Sequence, residues 1–73
     1  MNTVQLYIEE NLDASRQDEL RKMLMNLPHV ADVEISINSP HEFVVEYEEH
    51  QNMPMKIIEA LKSKGYHPDI FSG

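Results

Sequence analysis

The chain has 73 residues, no cysteine, and 13 acidic against 6 basic residues, for a formal net charge of −7. This length supports one small core, with no disulfide to reinforce it. The basic residues are scattered, which excludes nucleic acid and anionic lipid as natural partners, because a phosphate backbone is held by clustered Lys and Arg. We expect one domain, residues 1–73, that suits a basic patch on another protein or a cation.

Membrane insertion and export are not expected. No apolar run approaches the ~20 residues needed to cross a bilayer. The N-terminal residues also lack the basic-then-apolar order of an export signal. We therefore expect a cytoplasmic protein.

The first half of the chain predicts a strand followed by a helix. Apolar and polar residues alternate over residues 3–8, the period of a strand with one buried face. From Asp13 the spacing becomes helical, with either Asp13 as N-cap or Ser15 together with Asp18. Pro28 ends the helix.

The middle of the chain predicts a β-hairpin. Alternation over residues 33–38 and again over residues 43–48 flanks a turn at residues 38–40, Asn-Ser-Pro. A second helix then opens at Pro54 and ends at Gly65, which suits the position after a helix.

The last predicted strand covers residues 66–71 and contains Pro68, which cannot donate to a sheet and therefore places this strand at an edge. The order βαββαβ predicts an α+β, ferredoxin-like sandwich. Its four-stranded antiparallel sheet has the order 4-1-3-2, with two helices on one face. The predicted core consists of Val4, Leu6, Ile8, Leu20, Leu24, Leu27, Val33, Ile35, Phe43, Val45, Ile57, Ile58 and Leu61.

Two segments carry further information: residues 27–35 have the sequence LPHVADVEI, and residues 52–66 have the sequence NMPMKIIEALKSKGY. They resemble two segments of heavy-metal-associated domains, the family of copper chaperones and of N-terminal modules of metal-pumping ATPases. The family patterns are L-P-G-V-x-x-V-x-V for the first segment and V-S-P-x-x-L-I-x-A-I-x-x-x-G-Y for the second. The resemblance implies the family fold over nearly the whole chain.

The metal motif of that family is missing. The family holds its ion on G-M-x-C-x-x-C before the first helix, and here Asp13 and Arg16 occupy the cysteine positions. A carboxylate beside a guanidinium cannot replace two thiolates as ligands of a soft ion. Asp13 and Arg16 therefore predict either an N-cap with a surface ion pair or a remodelled loop that still docks a partner.

Three further residues form a candidate relocated metal site. In the predicted topology His29, His50 and Met53 share the end of the molecule opposite the helix-start loop. Imidazole and thioether suit Cu(I), and imidazole with carboxylate suits Zn(II), Ni(II) or Cu(II). His41 and His67 share the other end and form a weaker candidate pair. We expect no resident cofactor, and at most weak binding of Zn, Ni or Cu.

The helix-free face of the sheet is a candidate partner surface. Tyr7, Val44 and Phe71 fall on that face, on strands that the predicted order makes neighbours. An apolar patch there suits a partner or a second copy of the chain. The glutamates of the strands, such as Glu46 and Glu48, predict a solvated acidic face.

Nothing in the sequence predicts catalysis, since the chain lacks cysteine, a serine with a positioned histidine, and a glycine-rich phosphate loop. The leading hypothesis is a non-enzymatic interaction module in metal transport or homeostasis, whose partner is a metal transporter or a second copy. The alternative is a metal-binding protein that uses the relocated site. A small-ligand regulatory module is less favoured, because such modules tend to need glycines in the first loop.

Overall fold

The computed structural model describes residues 1–36 and 39–72, and the side chains as far as Ile70. Two residues of the predicted hairpin, Ile37 and Asn38, and the side chain of Phe71 lie outside the described part. Six elements follow one another along the chain: β1 (Asn2–Ile8), α1 (Ala14–Met25), β2 (Val30–Ile35), β3 (Glu42–Tyr47), α2 (Met53–Ser63) and β4 (Pro68–Ser72).

The strands form one antiparallel sheet in the order β2-β3-β1-β4, with both helices on one face. The order βαββαβ and the ferredoxin-like class are therefore confirmed. Pro68 begins the edge strand β4, where its missing N–H removes no hydrogen bond from the centre of the sheet. No helix in the described part of the chain is long and apolar enough to cross a membrane.

Several element boundaries differ from the sequence prediction by one to three residues, and three of them have a clear physical reason. Strand β2 begins at Val30 and has an irregular register before Asp32, which interrupts the simple alternation. Helix α1 ends at Met25, ahead of Pro28. Strand β4 begins two residues later than predicted, because Gly65 and Tyr66 complete the end of α2.

The end of α2 is a Schellman motif. Gly65 has a φ of +88°, and its N–H donates to the carbonyl of Lys62 at 3.0 Å. The N–H of Tyr66 donates to the carbonyl of Leu61 at 3.1 Å. These two bonds satisfy carbonyl groups that the helix leaves free, and they turn the chain towards β4.

Every predicted core residue lies in one apolar cluster or packs against it. The cluster also buries three residues that the predicted core did not contain: Leu12, Tyr47 and Met53. Leu12 lies in a loop and Met53 at a helix start, so neither belongs to an extended periodic pattern. The core thus fills the space between the helices and the sheet, and the opposite face of the sheet is not covered by a helix.

Candidate functional site

The loop before α1 is built as a helix cap. The Oδ1 atom of Asp13 accepts a hydrogen bond from the backbone N–H of Arg16 at 2.8 Å. Of the two predicted caps, Asp13 is the one that forms, and the ion pairs of the described residues do not join it to the Arg16 guanidinium. With a carboxylate already engaged by the backbone and a cation beside it, this loop does not suit a soft metal ion.

Two histidines near that loop bind separate partners. The imidazole Nδ1 and the backbone N–H of His67 both lie against the carboxylate of Glu10. The hydrogen bond from His67 lowers the pKa of Glu10, and the same bond raises the pKa of His67. The Nδ1 atom of His41 contacts the carbonyl oxygen of Ile8 at 2.8 Å. The weaker candidate pair of His41 and His67 is therefore divided between two different contacts.

The opposite end brings two other histidines together. The rings of His29 and His50 stack with centroids 4.2 Å apart and planes inclined by 27°. Both side chains are exposed, and with the buried Met53 they line one pocket, whose edge includes Lys56. Among the residues that the structure describes, no group of three His, Cys, Asp or Glu side chains is placed to hold a metal ion.

The backbone around this pocket has an unusual conformation. His29 has a φ of +70°, and Gln51 and Asn52 also have positive φ. Asn52 makes no side-chain cap for α2; instead the Oε1 atom of Glu49 accepts from the N–H of Met53 at 3.0 Å. The loop between β3 and α2 is thus held by a carboxylate that sequence spacing did not identify as a cap.

The open face of the sheet carries two apolar side chains, Tyr7 and Val44, at diagonal positions of β1 and β3 among carboxylates. Tyr7, 36% exposed, lies across from Glu42 on β3 and Asp69 on β4, and Val44 lies across from Glu34 on β2. A further acidic pair, Asp32 and Glu46, lies directly opposite in the register between β2 and β3. The sequence placed Tyr7 and Val44 on this face and predicted a solvated acidic face from strand glutamates such as Glu46, and the structure shows which carboxylates lie across from the two apolar residues.

Basic residues are confined to the other side of the molecule. All six belong to the helices or to the residue that follows α2: Arg16, Arg21, Lys22, Lys56, Lys62 and Lys64. The molecule therefore has a mixed-charge helical side and a carboxylate-rich sheet side. The sequence could not predict this segregation from net charge alone, because it depends on which strand residues the sheet turns outward.

No family model and no curated protein matches the chain. Solved structures do match its fold. Oxidised MerP from Ralstonia metallidurans CH34 superposes with a TM-score of 0.83 at 17% identity, over 97% of this chain and 97% of its own. The yeast copper transporter domain CCC2A, solved in apo and Cu(I)-loaded states, gives 0.82 at 20% identity, over 97% and 96%.

A third neighbour is the first domain of the human copper chaperone for SOD1, solved in its copper(I)-loaded form. It gives a TM-score of 0.76 at 18% identity, over 96% of this chain and 92% of its own. The chain has the fold of heavy-metal-associated domains, as the resemblance predicted, and it has no cysteine.

Proposed function

We propose that this chain is a non-enzymatic protein-interaction module that works in a metal-related setting and docks a partner bearing a basic patch. The observation that carries the proposal is the open sheet face, where the apolar side chains of Tyr7 and Val44 lie among carboxylates. An apolar centre with a polar border is the usual anatomy of a protein interface. The metal-related setting is supported by the copper proteins among the structural neighbours.

The charge of this face favours a different protein over a second copy. In a symmetric dimer the same patch meets itself, which would bring the carboxylates of Glu34, Glu42 and Asp69 against the acidic patch of the second copy. Like charges across an interface are unfavourable, whereas a basic patch gains attraction and faster association. A metal transporter with a basic docking surface fits this requirement.

The helix-start loop supports the same function. Asp13 serves as the N-cap of α1, so the loop keeps its structure without a bound ion. A domain of this fold that lacks the thiolates is unsuited to Cu(I) transfer through cysteine, and contact with a partner is a role that needs no such ligands.

Two charge-reversal variants test the proposal. In the first, Glu34→Lys and Glu46→Lys alter the open face. In the second, Glu19→Lys and Glu59→Lys alter exposed positions on the helices and change the net charge by the same amount. The wild type and both variants are immobilised, and the proteins that each one captures are identified. Each captured protein is then purified, and its affinity for the wild type and for both variants is measured at two salt concentrations.

The proposal requires a partner that binds the wild type and the helix variant equally and is lost from the sheet-face variant. Its affinity must also fall as salt rises, because screening weakens attraction between exposed charges. Equal losses in both variants would show that only net charge matters. A partner retained by the sheet-face variant would overturn the proposal.

A further inference from the structure

Two imidazoles and a thioether meet at the end of the molecule remote from the helix-start loop. His29 comes from the connection between α1 and β2, and His50 from the connection between β3 and α2. Their rings stack at 4.2 Å, and Met53, the first residue of α2, lines the same pocket. Two imidazoles from two separate loops and the side chain of Met53 at the start of α2 thus line one pocket.

One short segment fixes the backbone of all three residues. The N–H of Glu48 donates to the carbonyl of His29 at 2.8 Å. The Oε1 atom of Glu49 accepts from the N–H of His50 and from the N–H of Met53, each at 3.0 Å. A ligand pair held in this way loses less freedom on binding an ion than two histidines on independent loops would lose.

The conformation of His29 is a second observation that points to the same place. Its φ of +70° lies in the left-handed region, which residues with a Cβ seldom adopt and glycine adopts freely. The resembling family segment has glycine at this position. Here a strained position carries an imidazole, and that imidazole faces the second one.

We propose that His29 and His50 together bind one borderline divalent transition-metal ion, with Cu(II) preferred over Ni(II) and Zn(II). Neutral imidazole nitrogen suits these ions, and Cu(II) gives the most stable complexes with such donors. Water completes the coordination, and Met53 forms the apolar wall beside the ion. This site is independent of the partner-binding face proposed above.

The geometry accommodates a shared ion after a modest ring movement. Nitrogen ligands lie ~2.0–2.1 Å from a bound Zn(II), so two of them on one ion are about 3 Å apart. Rings whose centroids are 4.2 Å apart reach this spacing by side-chain rotation, and both side chains are exposed.

The charged groups nearby are Glu48, Glu49 and Lys56. Lys56 opposes the ion, although its ammonium donates to the side chain of Gln51 at 3.2 Å.

Titration with Zn(II) tests the site, since this diamagnetic ion permits NMR of every histidine ring and methionine methyl. At about pH 7.5, above the ordinary titration range of imidazole, we expect one saturable event per chain. Resonances of His29, His50 and the Met53 methyl should move together, whereas those of His41 and His67 should move little. A ratio of two chains per ion, or equal shifts at all four histidines, would overturn the proposal.

Matched variants locate the ligands. His29→Gly removes one ring and keeps the left-handed backbone favourable, so the fold is preserved. This variant and His50→Ala should each weaken Zn(II) binding about tenfold or more, the scale of losing a ligand contact. His67→Ala is the control and should bind as the wild type does.

Lys56→Met tests whether Zn(II) binds in this pocket or attaches nonspecifically to the surface. Removing a positive charge from the pocket edge should strengthen Zn(II) binding, whereas Lys62→Met, farther along α2, should not. If either single-histidine variant binds as tightly as the wild type, or if the Lys56 variant does not bind more tightly, the assignment to this pocket is wrong.

Discussion

At the residue scale, His29 combines an unfavourable backbone conformation with an exposed imidazole ring. Its φ of +70° places Cβ in an unfavourable position, and its ring stacks on the ring of His50. Substitution separates the free-energy cost of the left-handed backbone at residue 29 from the contribution of the imidazole ring. Alanine keeps the backbone cost and removes the ring.

We expect His29→Gly to be more stable than His29→Ala by about 1 kcal/mol, since glycine adopts a positive φ without steric conflict. Urea denaturation of the two variants measures the difference. The control is Ala31→Gly in β2, where the backbone φ is not positive and the same change of side chain should destabilise. If glycine is no better than alanine at residue 29, the backbone there is not strained.

A second residue-scale feature is the pairing of Glu10 with His67, two residues 57 positions apart in the chain. The hydrogen bond lowers the pKa of Glu10 and raises the pKa of His67. Each shift favours the charged form of its group in the folded state. The stabilisation from Glu10 is therefore lost in acid as the carboxylate protonates, and that from His67 is lost as pH rises and the imidazole becomes neutral.

We therefore expect the pair to stabilise the fold most between the ordinary pKa of glutamate and that of histidine, and less on either side. The stability difference between the wild type and Glu10→Gln, measured in urea from about pH 3 to about pH 9, should show a maximum in that window. In Glu10→Gln the NMR titration of the His67 ring should move to lower pH. An unchanged His67 titration would show that the contact does not persist in solution.

At the element scale, α1 depends on its cap. Asp13 satisfies one of the N–H groups that begin the helix, and it occupies a position where the resembling family has a metal-binding cysteine. We expect Asp13→Ala to cost about 1 kcal/mol in urea denaturation and Asp13→Ser to cost less, because serine also caps.

The control for this prediction is Asp18→Ala. Asp18 lies 3.1 Å from the ammonium of Lys22 on the exposed face of α1, where an ion pair contributes a few tenths of a kcal/mol at most. A larger loss for Asp18 than for Asp13 would contradict the capping role. If Asp13→Ser were as unstable as Asp13→Ala, a hydroxyl could not replace the carboxylate.

The elements were predictable because their periods are strong. Alternation in β1, β2 and β3 and the apolar spacing of α1 and α2 identified ten of the thirteen buried apolar residues that the structure describes, and Gly65 marked the end of α2. The loops were less predictable, since their hydrogen bonds join residues with no fixed spacing. The capping of Met53 by Glu49, four residues away across a left-handed turn, and the contact between Glu10 and His67 are examples.

For the candidate site, the placement of residues was predictable and their side-chain contacts were not. Topology correctly placed His29 and His50 at one end, because each follows an element that ends there, but it could not predict that their rings stack. It also placed Tyr7 and Val44 on the open face and predicted an acidic face from strand glutamates, without showing which carboxylates lie across from the two apolar residues. Ring contact and charge segregation depend on side-chain orientation and on strand register, which a single sequence constrains weakly.

At the scale of the whole molecule, a net charge of −7 is unevenly distributed. Carboxylates cluster on the open face of the sheet, whereas every lysine and arginine lies on the helical side. The carboxylates of the open face are thus separated from every lysine and arginine by the thickness of the core, and they are neighbours of one another on the sheet. Repulsion within the open face therefore opposes folding and is screened by salt.

The pair Asp32 and Glu46 should report this repulsion directly, because the two residues lie opposite each other in adjacent strands. We expect Glu46→Lys to stabilise the protein by about 0.2–1 kcal/mol at low salt, the range for cross-strand charge pairs. The wild type should gain stability between about 20 mM and about 300 mM NaCl, and the variant should gain less.

Glu19→Lys on α1 changes the net charge equally and approaches Lys22, so it should not stabilise to the same extent. If both substitutions raised stability equally, total charge alone would govern the effect; a larger gain for Glu46→Lys assigns it to the open face of the sheet.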